Sequence, residues 1–146
     1  MTSTRDRNVA GGLPIRGWLA DCGPEFRSDF LALAQPKSFP AGSVLYRAGD
    51  VGRDLFGIRS GVVLVQCRFT HPDATLLHML WPGDWFGTLD WLAERTRRFA
   101  TIARTDVELL RVPADDLQAL LRRHPKWVAE LGRDAVYSLD VAMQAA

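Results

Sequence analysis

The sequence predicts a mainly β domain with flanking helices, an antiparallel roll entered through two short helices and left through a longer one. Three observations predict it. From residue 43 to residue 103, short runs rich in β-branched and aromatic side chains alternate with glycine-containing turns about every ten residues. On either side of that stretch the apolar spacing changes to three and four residues, the helical period. A chain of 146 residues, 47% hydrophobic and 24% charged, has the size and make-up of one ordinary globular core.

The elements follow in order. Residues 1–12 are rich in Thr, Ser, Arg, Asn and Gly and offer too little apolar area to offset the entropy of ordering, which predicts a flexible tail. Between Gly17 and Ala34 the apolar positions Trp18, Leu19, Phe26, Phe30, Leu31 and Leu33 are interrupted at Gly23-Pro24, so two short helices are expected to lie as a lid on the core. The runs 43–46, 54–58, 62–69, 75–80 and 99–103 read as strands. Their fences are Ala48-Gly49-Asp50, Ser60-Gly61, His71-Pro72-Asp73 and Pro82-Gly83-Asp84, where Gly49, Gly61 and Gly83 supply the positive φ that a reversal of direction needs. Helical spacing returns at Pro113: Asp115 and Asp116 suit the positive end of a helix, and Leu117, Leu120 and Leu121 form a stripe that stops at His124-Pro125. A last helix begins there, with Val128, Leu131, Ala135, Leu139 and Ala142 at steps of three and four and with Val136 and Met143 widening the stripe. Such a stripe packs on a core or pairs with the same helix of a second copy. The organisation expected is a tail over 1–12, a roll with flanking helices over 13–124, and the start of a dimerisation helix over 125–146.

Charge and motif content narrow the function. With 18 basic side chains against 17 acidic the net charge is +1, so no global field draws the domain onto a phosphate backbone. No stretch approaches the run of about 20 apolar residues that a membrane helix needs, and the polar N-terminus lacks the apolar segment of a secretory signal. The expectation is a soluble, cytoplasmic protein with no membrane partner. Cys22 and Cys67 lie far apart, without CxxC spacing or a disulfide framework, and read as free buried thiols. His71, His78 and His124 are dispersed and lack the spacing that a zinc or cupin-type metal requires, so no metal site is expected. No G-x-S-x-G, H-E-x-x-H or comparable pattern is present, no catalytic residue is assigned, and the chain reads as non-enzymatic.

Four blocks carry a resemblance: Pro40-Ala41-Gly42 leading to Arg47-Ala48-Gly49-Asp50; Leu55-Phe56-Gly57-Ile58-Arg59-Ser60-Gly61; Pro82-Gly83-Asp84-Trp85-Phe86-Gly87; and Thr105-Asp106-Val107-Glu108-Leu109-Leu110. In this order, between short helices and a long one, they resemble the sensor half of the Crp/Fnr family of bacterial transcription regulators. The resemblance implies a double-stranded β-helix (jelly roll) of the cyclic-nucleotide-binding type, a small-molecule effector held in the roll, and a homodimer formed through the long helix. It also implies that DNA is reached only through a helix-turn-helix reader following that helix, so these 146 residues alone are not expected to bind an operator.

The resemblance places a phosphate-binding cassette over residues 86–101, FGTLDWLAERTRRFAT. A cyclic phosphate needs backbone amides at a helix start and a guanidinium that can bond two of its oxygens. Gly87, Thr88 and Leu89 are the candidate amides. Arg98 matches the family arginine by spacing, Arg97 is the alternative one residue earlier, and Phe99 and Ala100 complete the cassette. Read without the family, Arg95, Arg97 and Arg98 are a solvated basic turn.

Three positions depart from the family pattern. Thr88 stands where the nucleotide binders carry a glutamate that accepts from the ribose hydroxyl; the loss of such a bond costs about 1.5–3 kcal/mol, or about ten- to a hundredfold in affinity. Asp90 would repel a phosphate unless Arg95 or Arg98 neutralises it. Ala142 and Met143 stand where the family places hydroxyl side chains that reach the base.

Trp81, Trp85, Phe86 and Trp91 crowd the same segment, so Trp85, Phe86 and Trp91 either line a pocket for a flat apolar ligand or fill the roll. Two functions follow. One is an effector-sensing regulatory domain that holds a cyclic nucleotide, its only candidate cofactor, or another small ligand. The other is a degenerate, ligand-free roll that works as a dimerisation or protein-interaction module. In either case the expected dimer stripe is Val128, Leu131, Ala135, Leu139 and Met143.

Overall fold

The computed structural model describes residues 11–68 and 75–145. Most of the tail expected over 1–12, the turn at 71–73 and the end of the strand expected over 62–69 lie outside the described residues.

Helices α1 (Trp18–Asp21) and α2 (Pro24–Ala32) break at Gly23-Pro24, as the sequence predicts. Pro24 opens α2 because a first-turn residue has no intrahelical amide bond to lose. Six strands follow: β1 (Gln35–Phe39), β2 (Val44–Tyr46), β3 (Leu55–Ser60), β4 (Val63–Arg68), β5 (Thr75–Leu80) and β6 (Trp85–Phe86). A short helix, α3 (Thr88–Ala93), leads to β7 (Ala100–Ala103) and β8 (Val107–Val112), then to α4 (Ala114–Arg123), a 3-10 turn (Pro125–Trp127) and α5 (Val128–Ala145). The turn glycines Gly49, Gly61 and Gly83 all have positive φ.

The strands form two four-stranded antiparallel sheets, ordered β1-β8-β3-β6 and β2-β7-β4-β5. Their facing sides enclose Ile58, Val63, Phe86, Ala103, Val107 and Leu109. The other side of the first sheet carries Leu55, Trp85, Leu110 and Val112 against Trp18, Leu19, Phe26 and Phe30 of the helices and against α4. Successive side chains of a strand point to opposite faces, so adjacent residues such as Leu109 and Leu110 serve different cores.

Three strands have no counterpart in the sequence reading: the two-residue β6, β1 and β8. β1 is polar, exposed and contains Pro36; among the described residues it pairs only with β8, and an edge strand tolerates a residue that cannot donate to the ladder. β8 is covered on both faces, so it lacks the alternation of a half-buried strand.

At α4 the buried Leu117, Leu120 and Leu121 form the expected stripe, and the helix ends at His124. Its first amide, Ala114 N, donates to Asp54 Oδ1 at 2.8 Å. Cys22 is a free, buried thiol whose Sγ faces the Glu130 carbonyl at 3.8 Å; burial, then Glu130, push its pKa up to about 12. Along α5 the expected stripe divides. Leu131 is fully buried in the helical core, whereas Val128, Val136, Leu139 and Met143 are about half exposed or more. Leu131 therefore belongs to the fold and leaves the dimer stripe. None of the helices among the described residues is long and apolar enough to cross a membrane.

Candidate functional site

The cassette begins where β6 turns into α3. Gly87, at φ 93° and ψ −13°, caps the helix in the left-handed region. A Cβ there would lie 2.5 Å from the Asp54 carbonyl oxygen and 3.0 Å from Arg97 Nη1, so backbone and guanidinium close on the glycine from one side. The first amides of α3 have no intrahelical acceptor, which leaves them directed outward from the helix start. Thr88 and Asp90 are buried, and Leu89 is largely exposed.

Arg97 is the cation inside the roll. It is 3% exposed; its Nη2 donates to the Asp54 carbonyl at 2.7 Å, its Nη1 to the Gly87 carbonyl and to Asp90 Oδ2 at 3.4 Å each, and its plane lies over the Tyr46 ring at 4.1 Å. Its Nε is buried without a hydrogen-bond partner, and the buried Thr101 hydroxyl, which lacks a well-formed bond, faces Tyr46. A buried guanidinium with one donor unpaired is a place where an acceptor would be taken up.

Arg98, which spacing favours, is exposed, whereas Arg97 is buried. The reason is local pairing. The amide of Arg97 donates to Asp50 O at 2.8 Å and its carbonyl accepts from Gly49 N at 2.7 Å, which ties Arg97 to the Gly49-Asp50 turn ahead of β7. Arg97 is buried, as are Thr101 and Ala103 of β7, while Arg98 is exposed. Phe99 is half-buried between them, and Ala100 opens β7 opposite Gln66. Asp90 pairs with Arg95 at 2.9 Å and with Arg97, not with Arg98.

Of the aromatic candidates only Phe86 lies in the roll. It stacks on Phe56 at 5.2 Å, and Tyr46 packs on both, at 6.0 Å from Phe86 and 6.4 Å from Phe56. Trp85, the neighbour of Phe86 in β6, points to the opposite face and packs on Trp18 and Phe30. Trp91 lies in the same helical core, with its Nε1 toward the Ala114 carbonyl at 3.5 Å. Both tryptophans leave the pocket-lining set, and Trp81 is half exposed.

Tyr46, Asp54, Phe56 and Thr101 join the site without having been singled out by sequence. Burial pushes the Tyr46 hydroxyl up to about 12, against the pull of the nearby Arg97 charge. Asp54 serves three partners: Arg111 Nε at 2.6 Å and the α4 start through its carboxylate, and Arg97 through its carbonyl. The position of Asp54 just before β3 is the only trace of this in the chain.

Behind the cassette, Thr88 turns its buried hydroxyl away from any well-formed hydrogen bond and toward Asp134 of α5. Asp134 is 3% exposed, and burial pushes its carboxyl up to about 6; the Asp84 charge adds to the rise, and the Thr88 and Ser138 hydroxyls oppose it. Ala142 and Met143 are exposed near the end of α5.

Three comparisons bear on the site. The family model described as cyclic nucleotide-binding domain matches residues 36–124. The cyclic AMP receptor protein of Thermus thermophilus is 33% identical over 114 residues, 78% of this chain and 51% of that protein, so the chain spans about half the relative's length. The crystal structure of Thermus thermophilus catabolite activator protein superposes with a TM-score of 0.72 at 29% identity, covering 88% of this chain and 60% of that one. The N-terminal domain of a transcriptional regulator from Streptomyces coelicolor A3(2) superposes with a TM-score of 0.70 over 93% of this chain and 95% of that one; at 23% identity it shows the fold alone.

Proposed function

The chain belongs to the cyclic nucleotide-binding domain family, and from that premise we propose that it is an effector-sensing regulatory domain in which Arg97 receives the anionic group of a small ligand. The observation that carries the reading is the buried Arg97 guanidinium, whose Nε has no hydrogen-bond partner. A cyclic nucleotide is the ligand class the family supplies. Its phosphate would take donors from Arg97 and from the α3 start and would displace part of the Asp90 contact, which is long at 3.4 Å. Thr88 removes the charged acceptor for a ribose hydroxyl, so affinity is set about ten- to a hundredfold below that of a site with the glutamate.

A signal would leave through α3, which packs on α5. A ligand that prefers one arrangement of the cassette biases the helix with it. The exposed Val128, Val136, Leu139 and Met143 make α5 the surface for a homodimer. Regulation of transcription, through a DNA reader of the kind the family resemblance implies, is the role this reading proposes, with a cytoplasmic location.

One observation favours a second reading. The Tyr46–Phe56–Phe86 stack occupies the space between the sheets, which suits a ligand-free interaction module. Isothermal titration calorimetry with cyclic AMP and cyclic GMP separates the two. Micromolar binding supports the sensor, and silence up to millimolar nucleotide supports the module.

A further inference from the structure

We propose that Asp134 makes the seating of α5 against the cassette helix proton-dependent, with α5 held close when the carboxyl carries a proton and loosened when it is ionised. This goes beyond the ligand reading and does not rest on it.

Asp134 sits on the inner face of α5, which packs against α1 and α3. Each neighbouring element contributes a group. From α3 comes the Thr88 hydroxyl, 1% exposed and without a well-formed bond. The other polar side chain of that helix, Asp90, is committed to Arg95 and Arg97. From the turn before β6 comes Asp84, whose Oδ1 is held by Arg16 Nη2 at 3.0 Å. On α5 itself Ser138 faces Asp134, while Glu130 and Arg133 pair with each other at 3.6 Å and Glu130 also accepts from Gly23 N at 2.9 Å. Asp21 of α1 and Lys126 of the 3-10 turn are exposed. Among the described residues no cation pairs with Asp134.

A carboxylate buried without a counter-cation is costly when ionised, whereas the protonated acid is a neutral donor that a hydroxyl can accept. Asp84 raises the cost by like charge, and its own partner Arg16 is spent on it. The carboxyl titrates at about 6 when seated and near the ordinary 3.8 when released. The seated helix therefore binds the proton more tightly. Seating is at full strength below the released value, weakens as pH climbs from there to the seated value, and is weakest above it. Two units correspond to about a hundredfold in the seating equilibrium across that window.

The test is amide hydrogen exchange along α5, corrected for intrinsic rates, on the full chain without ligand at pH 4.5 and 7.5 and at steps between them. In the wild type, opening of α5 should rise on the order of tens-fold between the two. In Asp134→Asn it should be the same at both. In Thr88→Val, which removes a hydroxyl that opposes the rise, the midpoint should move to higher pH. Equal pH dependence in wild type and Asp134→Asn would overturn the proposal, as would a Thr88→Val midpoint that stays in place. A failure of nucleotide binding would leave all three results untouched.

Discussion

Replacing Gly87 by alanine tests the closure of the cassette most sharply, because Gly49 provides an internal control at the same φ. Both glycines have φ of 93°. At Gly49 a Cβ would meet nothing within 4 Å, so Gly49→Ala pays only the left-handed backbone, about 1–2 kcal/mol. At Gly87 the added Cβ would stand 2.5 Å from the Asp54 carbonyl oxygen, a backbone atom that also holds Arg97. Relieving that clash costs about 1–3 kcal/mol more. With about 3 °C of Tm per kcal/mol for a domain of this size, Gly49→Ala should melt about 3–6 °C below the wild type and Gly87→Ala about 6–15 °C below it. Differential scanning calorimetry on the three proteins reads the difference. Equal melting of the two variants would refute the contact between Gly87 and Asp54, and with it the account of how Arg97 is held.

Other outcomes follow from the same packing. Leu131→Ala should cost about 2–5 kcal/mol as a core truncation, whereas Leu139→Glu should change monomer stability by about 0.5 kcal/mol or less and lower the molar mass read by light scattering from dimer to monomer; a monomeric parent removes the dimer. In a Cys67→Ser background the buried Cys22 thiol, pushed up to about 12, should resist thiol-reactive dyes at pH 8 until the protein unfolds, and rapid native labelling would contradict its placement. Because the folded value of Asp134 lies above the unfolded one, its ionisation should lower stability as pH rises from about 4 to about 6, by about 3 kcal/mol in all; Asp134→Asn should remove that slope in urea titrations.

How far the sequence reached can be seen strand by strand. The runs that became β2, β3, β4, β5 and β7 carried β-branched or aromatic residues between glycine turns, and they form within a residue or two of the expected limits. β1 escaped because Gln-Pro-Lys-Ser-Phe is edge backbone that packs little and needs no apolar pattern. β8 escaped because Leu109 and Leu110 face two different cores, so its alternation vanishes.

The same parity governs the site. Spacing from Gly87 favours Arg98, but the pairing of Arg97 with the Gly49-Asp50 turn sets which arginine points inward, and that contact is tertiary. Trp85 and Phe86 were read as one aromatic cluster, although adjacent strand residues cannot share a face. Asp134 gave no signal because an aspartate within an amphipathic helix ordinarily faces water.

The most direct test of the central claim, that Arg97 is the anion receptor of the roll, is calorimetric titration of cyclic AMP into wild type, Arg97→Ala and Arg98→Ala, each first shown to be folded by circular dichroism. The account predicts binding in the wild type, a loss of at least about tenfold in Arg97→Ala and little change in Arg98→Ala. A loss confined to Arg98→Ala would contradict it.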